Sequence, residues 1–188
     1  TLRQRDAERE AGTEREAGAA GAGVNPLALL REIERIASEQ AVFVADGGDF
    51  VATAAYTLRP RSPLGWLDPG VYGTLGVGGG FALGAALQRP GSEVWLLWGD
   101  GACGFSLVEF DSFVRHGIPV IAIVGNDAGW TQIAREQVKM LGDDVGTVLA
   151  RSDYDRVGAA LGAEGLQIRS AEEVAPTLAR AQALARDG

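Results

Sequence analysis

Residues 94–130 read VWLLWGDGACGFSLVEFDSFVRHGIPVIAIVGNDAGW, and this stretch decides the fold. Its first apolar run, 94–98, stops at a Gly-Asp-Gly turn, and its second, 120–124, stops before an Asn-Asp pair. Between them, apolar residues at roughly helical spacing over 105–116 end at a His-Gly pair, which is a usual helix stop. Two short apolar runs joined by a helix are typical of buried parallel strands. The stretch therefore predicts a βαβ unit.

Each predicted strand is followed by an aspartate, Asp100 after the first and Asp127 after the second. Ligands of open α/β sheets bind outside the carboxyl ends of the strands, and adjacent strands lie about 5 Å apart. If the two strands are neighbours, the two carboxylates can converge on one small cation. Gly99 and Gly101 allow a ligand to approach the backbone closely, near the N–H groups of a helix start. Oxygen ligands beside a phosphate suit Mg²⁺.

These residues resemble the cofactor motif of thiamine diphosphate (ThDP) enzymes, which is GDG followed some two dozen residues later by a polar pair often written NN. In that family the aspartate and the second residue of the pair bind Mg²⁺, together with a backbone carbonyl two residues further on. The resemblance therefore implies Asp100, Asp127 and the carbonyl of Gly129 as metal ligands. The cofactor contacts that it implies in the first turn are Gly99, Asp100, Gly101 and Ala102. Asp127 departs from the usual Asn but is still a hard oxygen ligand, so we expect the metal site to be kept with one more negative charge.

A further similarity lies in the glycine-rich stretch 70–86. Each glycine in a helix lowers helix stability by about 1 kcal/mol relative to alanine. This many glycines therefore indicate that another group must approach the backbone closely. Two explanations stay open: tight packing of a helix on the sheet, or a cofactor ring that lies on the loop. ThDP enzymes of the acetolactate synthase type carry GTMG here, and this chain has Gly73, Thr74, Leu75 and Gly76. The resemblance implies that Leu75 props the thiazolium and that the Gly73 carbonyl accepts from the aminopyrimidine.

Two more segments are similar to cofactor or substrate segments of that family. A predicted strand over 41–45 ends in Asp46, Gly47, Gly48 and Asp49, and the matching family loop touches the diphosphate. The alternative is a plain strand-to-helix turn with Asp49 as the N-cap. Trp130 would lie near the cofactor and substrate, and residues 131–141 correspond to a mobile loop and helix that fold over the cofactor.

The whole pattern predicts an α/β fold with three αβα layers and a mostly parallel sheet, the ThDP-binding fold. We expect helices over about 25–38, 50–58, 153–161 and 170–186, a helix running to about 88, and a strand over 164–168. Ser170 is the expected N-cap of the last helix, with Glu173 completing a capping box. Residues 66–68 are expected to form a buried corner rather than part of a substrate entrance. Cys103 is expected to pack as a small residue rather than to react.

Composition excludes several classes of protein. The chain has 188 residues, which suits one domain with a sizeable core. Its net charge of −8 argues against a nucleic-acid partner. No apolar run approaches the roughly 20 residues that a membrane span needs, so we expect no membrane contact from this segment. We expect a bacterial, cytoplasmic protein, and an anchor elsewhere in a longer chain stays open.

Whole phrases are similar to one branch of the ThDP enzymes, the acetolactate synthase-like proteins grouped with 2-hydroxyacyl-CoA lyases. They include DGGDFVATAA, WLDPG and VGNDAGWTQI. The resemblance implies an interdomain linker at 1–23, partly helical and then flexible. It implies a pyrophosphate-binding domain at 24–188, which we expect to lack its last strand. The pyrimidine-binding and central domains are then absent from this sequence, and the longer chain would be a homodimer or homotetramer.

The branch implies cleavage of a 2-hydroxyacyl-CoA to formyl-CoA and an aldehyde, or the reverse condensation. The activating glutamate lies in the pyrimidine domain of a partner subunit in this family, so no catalytic residue is assigned to this chain, which alone is expected to be inactive. Alternatives are an acetolactate synthase or another carboligase that uses a 2-oxo acid, and a non-catalytic α/β binding module. A Rossmann dehydrogenase is disfavoured because no G-x-G-x-x-G opens a helix after the first strand.

Overall fold

The computed structural model describes residues 2–18 and 23–188. Four strands and nine α-helices are present in these two ranges. The strands are β1 Val42–Asp46, β2 Trp66–Leu67, β3 Val94–Gly99 and β4 Ile121–Gly125. The helices are α1 Leu2–Ala17, α2 Pro26–Ile36, α3 Asp49–Thr57, α4 Gly78–Gln88, α5 Asp100–Ser106, α6 Glu109–Arg115, α7 Thr131–Leu141, α8 Tyr154–Ala160 and α9 Ala171–Asp187.

The strands form one parallel sheet in the order β2-β1-β3-β4. Because successive strand residues point to opposite faces, the sheet buries two separate apolar clusters. Phe43, Trp95 and Leu97 face α2, α3 and α9, whereas Val44, Leu96 and Trp98 face α4, α5 and α6. The α/β class and the three αβα layers predicted from the sequence are confirmed. In this register Trp98 lies beside Asp46 and Val124, so β1, β3 and β4 end at the same edge of the sheet.

The N-terminal charged segment forms a helix that packs on the domain. Glu10 of α1 accepts a hydrogen bond from Arg31 of α2 at 2.9 Å and also faces Arg59 at 3.5 Å. The Arg31 hydrogen bond lowers the pKa of the Glu10 carboxyl. Asn25 donates to the carbonyl of Glu16 at 2.8 Å and accepts from the N–H of Leu27, so one side chain caps both α1 and α2. The flexible Ala/Gly run expected after this helix falls mostly on residues 19–22, which lie outside the described residues.

The predicted helix over 105–116 is wrong in its bounds, because the chain forms two helices. The first of them begins at Asp100, directly after the extended residue Gly99. Leu107 and Val108 then form a tighter turn, in which their carbonyls accept from residues three positions later. This break lies where Gly79 of α4 donates its N–H to the Ser106 hydroxyl at 3.3 Å. The close approach of α4 therefore coincides with the division of the helix.

The strand expected at 164–168 is not formed, and no other described segment pairs with β4 on its outer edge. Leu166 and Ile168 are half-buried and the residues between and beside them are exposed, so the alternation of a strand is present without a neighbour to pair with. This segment, β4 and α9 line a groove of about 1160 Å³. The predicted strand fails because pairing depends on a neighbour and not on local pattern.

Three smaller expectations are also corrected. Trp66–Leu67 is a half-buried edge strand rather than a buried corner, since it pairs with β1 on one side only. Ser170 is the N-cap of α9 as predicted, but within the described residues its side chain forms no cap hydrogen bond, and the Glu173 carboxylate accepts from the N–H of Arg169 rather than from that of Ser170. Gly48 is the N-cap of α3 and Asp49 its first residue. In the part of the chain that the structure describes, no helix combines the length and apolarity needed to cross a membrane.

Candidate functional site

The predicted site lies where β1, β3 and β4 end, and the turns after β1 and β3 touch each other there. Gly47 has a φ of 143°, and a Cβ built on it would lie 2.8 Å from the backbone nitrogen of Gly99. Only glycine suits this position, because both the backbone conformation and the space exclude a side chain. The two turns that the sequence singled out are therefore in direct backbone contact.

Asp100 is the buried centre of this edge. Its Oδ1 accepts from the N–H of Gly101 at 2.8 Å, and its Oδ2 accepts from the N–H of Gly129 at 3.1 Å. The Tyr154 hydroxyl donates to the Asp100 backbone carbonyl at 3.2 Å. One carboxylate thus joins the turn after β3 to the segment after β4. Asp100 and Gly129 are both site residues predicted from the sequence, and the structure places them within hydrogen-bond distance of each other.

A second carboxylate, that of Asp127 in the turn after β4, is near enough to act electrostatically on Asp100. Burial raises the pKa of the Asp100 carboxyl; the N–H of Gly101 opposes this, and the charge of Asp127 raises the pKa further. Asp100 is 3% exposed, while Asp127 is exposed. Two neighbouring carboxylates repel each other, and a cation bound between them would replace this repulsion by attraction to both.

The segment that carries Asp127 and Gly129 is held in an unusual conformation. Ala128 has a φ of 61°, in the left-handed region that residues with a Cβ rarely adopt. The Ala128 carbonyl accepts from the N–H of Leu149 at 2.8 Å, and the N–H of Trp130 donates to Thr147 at 2.7 Å. This short antiparallel contact fixes the backbone on both sides of Gly129.

Asp46 is placed inside the protein rather than at its surface. It is fully buried, and its carboxylate accepts from the N–H of Gly76 at 3.1 Å and from that of Gly78 at 2.8 Å. The charge of Asp46 therefore anchors the glycine-rich loop to the end of β1. Any contact of Asp46 with a cofactor stays a prediction.

The other members of the loop after β1 contact α7. Asp49 forms an ion pair with Arg135, in which a second nitrogen–oxygen distance is 3.3 Å. A Cβ on Gly48 would lie 2.7 Å from the side-chain oxygen of Gln132. The N-terminal half of α7 is thus placed over the loop that follows β1. That residues 131–141 fold over the cofactor stays a prediction.

The loop predicted to hold the cofactor ring is exposed. Gly73 adopts a left-handed conformation with a φ of 59° at the end of a short turn of 3-10 helix, and Thr74 is exposed beside it. Leu75 is 37% exposed. Because Gly76 is bound to Asp46, this loop lies on the same edge of the sheet as Asp100. The roles of Gly73, Thr74 and Leu75 toward a cofactor stay predictions.

Several contributors to this edge carried no signal in the sequence. Tyr154 looked like the beginning of an ordinary helix, and Thr147 lies in a loop whose pairing with the segment after β4 is non-local. Phe105 appeared as one helical apolar residue among several, yet it is 64% exposed and its ring lies 6.4 Å from that of Trp130. None of these contacts can be read from spacing along the chain.

Comparison with known proteins decides the family. Residues 46–188 match the family described as "Thiamine pyrophosphate enzyme, C-terminal TPP binding domain". The chain belongs to this family. The match includes every turn described above, from Asp46 to Gly129, and thus confirms the family resemblance of the sequence.

Curated relatives of this thiamine pyrophosphate domain include lyases and a synthase. The chain is 57% identical to "2-hydroxyacyl-CoA lyase 2" of Mus musculus over 88% of this chain and 26% of that protein. It is 50% identical to "2-hydroxyacyl-CoA lyase 2" of Caenorhabditis elegans, over 100% of this chain and 30% of that protein. It is 37% identical to "Acetolactate synthase large subunit IlvG" of Mycobacterium tuberculosis, over 84% of this chain and 29% of that protein. The chain thus spans between a quarter and a third of these relatives.

A solved structure agrees with the fold. It is described as "Rhodococcus jostii thiamine diphosphate-dependent 4-hydroxybenzoylformate decarboxylase", and it matches with a TM-score of 0.81 at 23% identity. The match covers 88% of this chain and 31% of that chain. At this identity the likeness concerns the fold alone.

The residues at this edge of the thiamine pyrophosphate domain fit a diphosphate with a divalent cation. The predicted donors are two carboxylates, Asp100 and Asp127, and the backbone carbonyl of Gly129, and all three are hard oxygen ligands of the kind that Mg²⁺ takes when a phosphate supplies the rest. Within the described ranges no three His, Cys, Asp or Glu side chains cluster as a metal site. The predicted metal site uses only two side chains, those of Asp100 and Asp127, and is therefore smaller than such a cluster. Burial, and to a smaller extent the charge of Asp127, raises the pKa of the Asp100 carboxyl, which is consistent with a carboxylate that would be stabilised by a cation.

Proposed function

We propose that this chain is the part of a 2-hydroxyacyl-CoA lyase that holds the diphosphate and the Mg²⁺ of ThDP. The observation that carries the proposal is the 57% identity to a 2-hydroxyacyl-CoA lyase 2, against 37% to an acetolactate synthase. The convergence of Asp100, Asp127 and Gly129 at one edge of the sheet supports the metal-binding part of the proposal.

The side chains of Asp100 and Asp127 and the carbonyl of Gly129 are the proposed protein ligands of the cation. Gly99, Gly101 and Ala102 lie where β3 turns into α5, and their backbone is proposed to approach the diphosphate. A helix start favours negative charge because its N–H groups point outward. Gly47 and Gly48 belong to the same proposed surface, since Gly47 lies against Gly99.

When bound, ThDP supplies an electron sink for the carbanion that forms as a C–C bond breaks. The residues of this chain do no proton transfer in the proposal. They hold the cofactor, and Leu75 supports it from the exposed loop. The proposed reaction is cleavage of a 2-hydroxyacyl-CoA into formyl-CoA and an aldehyde, or its reverse. The activating carboxylate is proposed to come from a pyrimidine-binding domain of a partner subunit.

The proposed domain arrangement gives residues 1–23 to a linker and 24–188 to the cofactor domain of a longer, oligomeric chain. The groove between β4 and 164–168 supports the idea that a further strand of the longer chain lies there. It exposes the free edge of β4 and the half-buried apolar side chains of the unpaired segment. A bacterial, cytoplasmic origin stays a prediction.

A carboligase that uses pyruvate is the second candidate, favoured by the 37% identity to the acetolactate synthase. Both candidates need the same cofactor, so binding does not separate them. The test is a product assay on the full-length protein with ThDP and Mg²⁺. We expect formyl-CoA and aldehyde from a 2-hydroxyacyl-CoA, and no acetolactate from pyruvate. Acetolactate without formyl-CoA would refute the lyase and support the carboligase.

A further inference from the structure

We propose that Trp130 is a positioning residue for the metal-binding segment 127–129, and that it does not itself contact the cofactor. The inference rests on the proposed function, because it concerns how Asp127 and Gly129 are held for the cation. It assigns to Trp130 a role different from the direct cofactor contact that the sequence suggested. The argument follows from what the indole touches.

The indole of Trp130 lies directly on Gly101. A Cβ built on Gly101 would be 2.5 Å from Cη2, 2.6 Å from Cζ3 and 2.7 Å from Cζ2 of the indole. These distances are shorter than any real Cβ contact, so the fit exists only because residue 101 is a glycine. The glycine of the GDG turn thus accommodates a side chain of this same protein.

Phe105 supports the indole from the side. The two rings are tilted by 44° with their centroids 6.4 Å apart, which is an ordinary aromatic pair. Phe105 in turn lies on the glycine-rich loop, since a Cβ on Gly76 would be 2.6 Å from the Phe105 Cβ. Gly76, Phe105, Trp130 and Gly101 therefore form one continuous contact across the proposed site.

Apart from its backbone hydrogen bonds to Thr147, Leu149 and Asp100, the segment that Trp130 holds is flanked by exposed side chains. Asp127 is exposed, and Val145 and Val148, on either side of Thr147, are 70% and 68% exposed. Ala128 adopts the left-handed conformation, which an L-residue leaves when its surroundings allow. In this conformation the N–H of Gly129 reaches the Asp100 carboxylate. The indole, packed one residue further on, restrains the segment from the side of the turn after β3.

The consequence for binding is specific. Partners that orient a metal ligand from outside the coordination shell change metal affinity about 10- to 100-fold when they are removed. We expect a Trp130→Ala variant to bind Mg²⁺ about tenfold or more weakly at saturating ThDP. Trp130→Phe, which keeps an aromatic ring at the contact, should recover most of the affinity. Excess Mg²⁺ should restore most of the turnover in both variants.

The experiment uses the full-length protein and titrates Mg²⁺ at saturating ThDP by calorimetry. Leu87→Ala is the matched control, because Leu87 lies at the end of α4 opposite Gly78 and is 62% exposed. Phe105→Ala is a second variant that removes the lateral support of the indole without opening the core. It should weaken Mg²⁺ binding in the same direction. Unchanged Mg²⁺ affinity in Trp130→Ala would overturn the proposal.

Loss of ThDP affinity without a change in the Mg²⁺ dependence would also overturn it, in favour of direct contact with the cofactor. Hydrogen exchange of residues 126–131 in metal-free protein provides a readout without any ligand. We expect the Gly129 amide to exchange faster in Trp130→Ala than in the wild type and in Leu87→Ala. If wild-type protein binds no ThDP, the proposed function fails, and the exchange experiment still decides whether Trp130 holds the segment.

Discussion

The glycines of α4 provide a test of how the edge of the sheet is packed. Gly78 is the first residue of α4, and a Cβ on it would lie 2.6 Å from Nε1 of Trp98 and 2.8 Å from Cβ of Asp46. Both neighbours are fully buried and unable to withdraw. Gly84, in the same helix, is exposed and has open space where a Cβ would be. The two positions therefore predict opposite effects of the same substitution.

For Gly78→Ala, overpacking of a tight core costs about 1–3 kcal/mol. Displacing the Asp46 carboxylate weakens its hydrogen bonds to Gly76 and Gly78, and a bond to a charged group contributes about 1.5–3 kcal/mol. Alanine returns up to about 1 kcal/mol of helix propensity. We expect a net destabilisation of about 2–3 kcal/mol. Gly84→Ala gains the same helix propensity without a steric clash, so it should stabilise the chain by up to about 1 kcal/mol.

The assay is urea unfolding of the two variants and the wild type, followed by tryptophan fluorescence. The predicted difference between the variants is about 3 kcal/mol, more than a hundredfold in the unfolding equilibrium constant. Equal stability of Gly78→Ala and Gly84→Ala would refute the close packing of α4 on Asp46 and Trp98. The glycines of residues 70–86 would then be explained by the alternative alone, a cofactor ring that lies on the loop.

Two further predictions concern Cys103 and Arg135. Cys103 is fully buried, and burial followed by the charges of Asp100 and Asp46 raises its pKa to about 12. Because the thiolate is the reactive form, we expect no reaction with a thiol reagent at neutral pH until the chain is unfolded, and rapid labelling of folded protein would contradict this burial. Arg135→Gln removes the ion pair with Asp49, and because exposed pairs contribute about 0–1 kcal/mol, amide exchange in α7 should speed up by at most about fivefold. Lys139→Gln removes only the local pair with Glu136 and should have a smaller effect; an equal effect would show that the contact with Asp49 does not hold α7.

The sequence was informative where local pattern decides structure. The apolar runs ending at Gly99 and before Asn126 predicted β3 and β4 to within one residue at each end, because buried parallel strands are short and end at polar turns. The same pattern placed Asp100 and Asp127 at one edge of the sheet. The helix expected from about residue 25 begins at Pro26, where the Asn25 side chain caps it by accepting from the N–H of Leu27.

The sequence was insufficient where a contact joins distant parts of the chain. The sequence placed Asp46 in a turn after the first strand, and only the folding of the glycine-rich loop onto it shows that it is buried. Residues 164–168 have the alternation of a strand, yet a strand also needs a neighbour. The contact of Trp130 with Gly101 depends on how the turn after β4 folds over the turn after β3, which spacing cannot give. The glycine-rich stretch was ambiguous, and the structure assigns Gly78 and Gly79 to close packing and leaves Gly80 and Gly84 free of it.

The most direct test of the proposed cofactor site is calorimetric titration of ThDP with Mg²⁺ into the full-length protein and its Asp100→Ala variant. Asp111→Ala is the matched control, since Asp111 is an exposed carboxylate on α6 that pairs only with Arg115 among the described residues. We expect Mg²⁺-dependent binding in the wild type and in Asp111→Ala, and binding weakened at least about 100-fold in Asp100→Ala, because a ligand and not merely its support is lost. Equal affinity in Asp100→Ala and the wild type would contradict the assignment of this edge as the cofactor site.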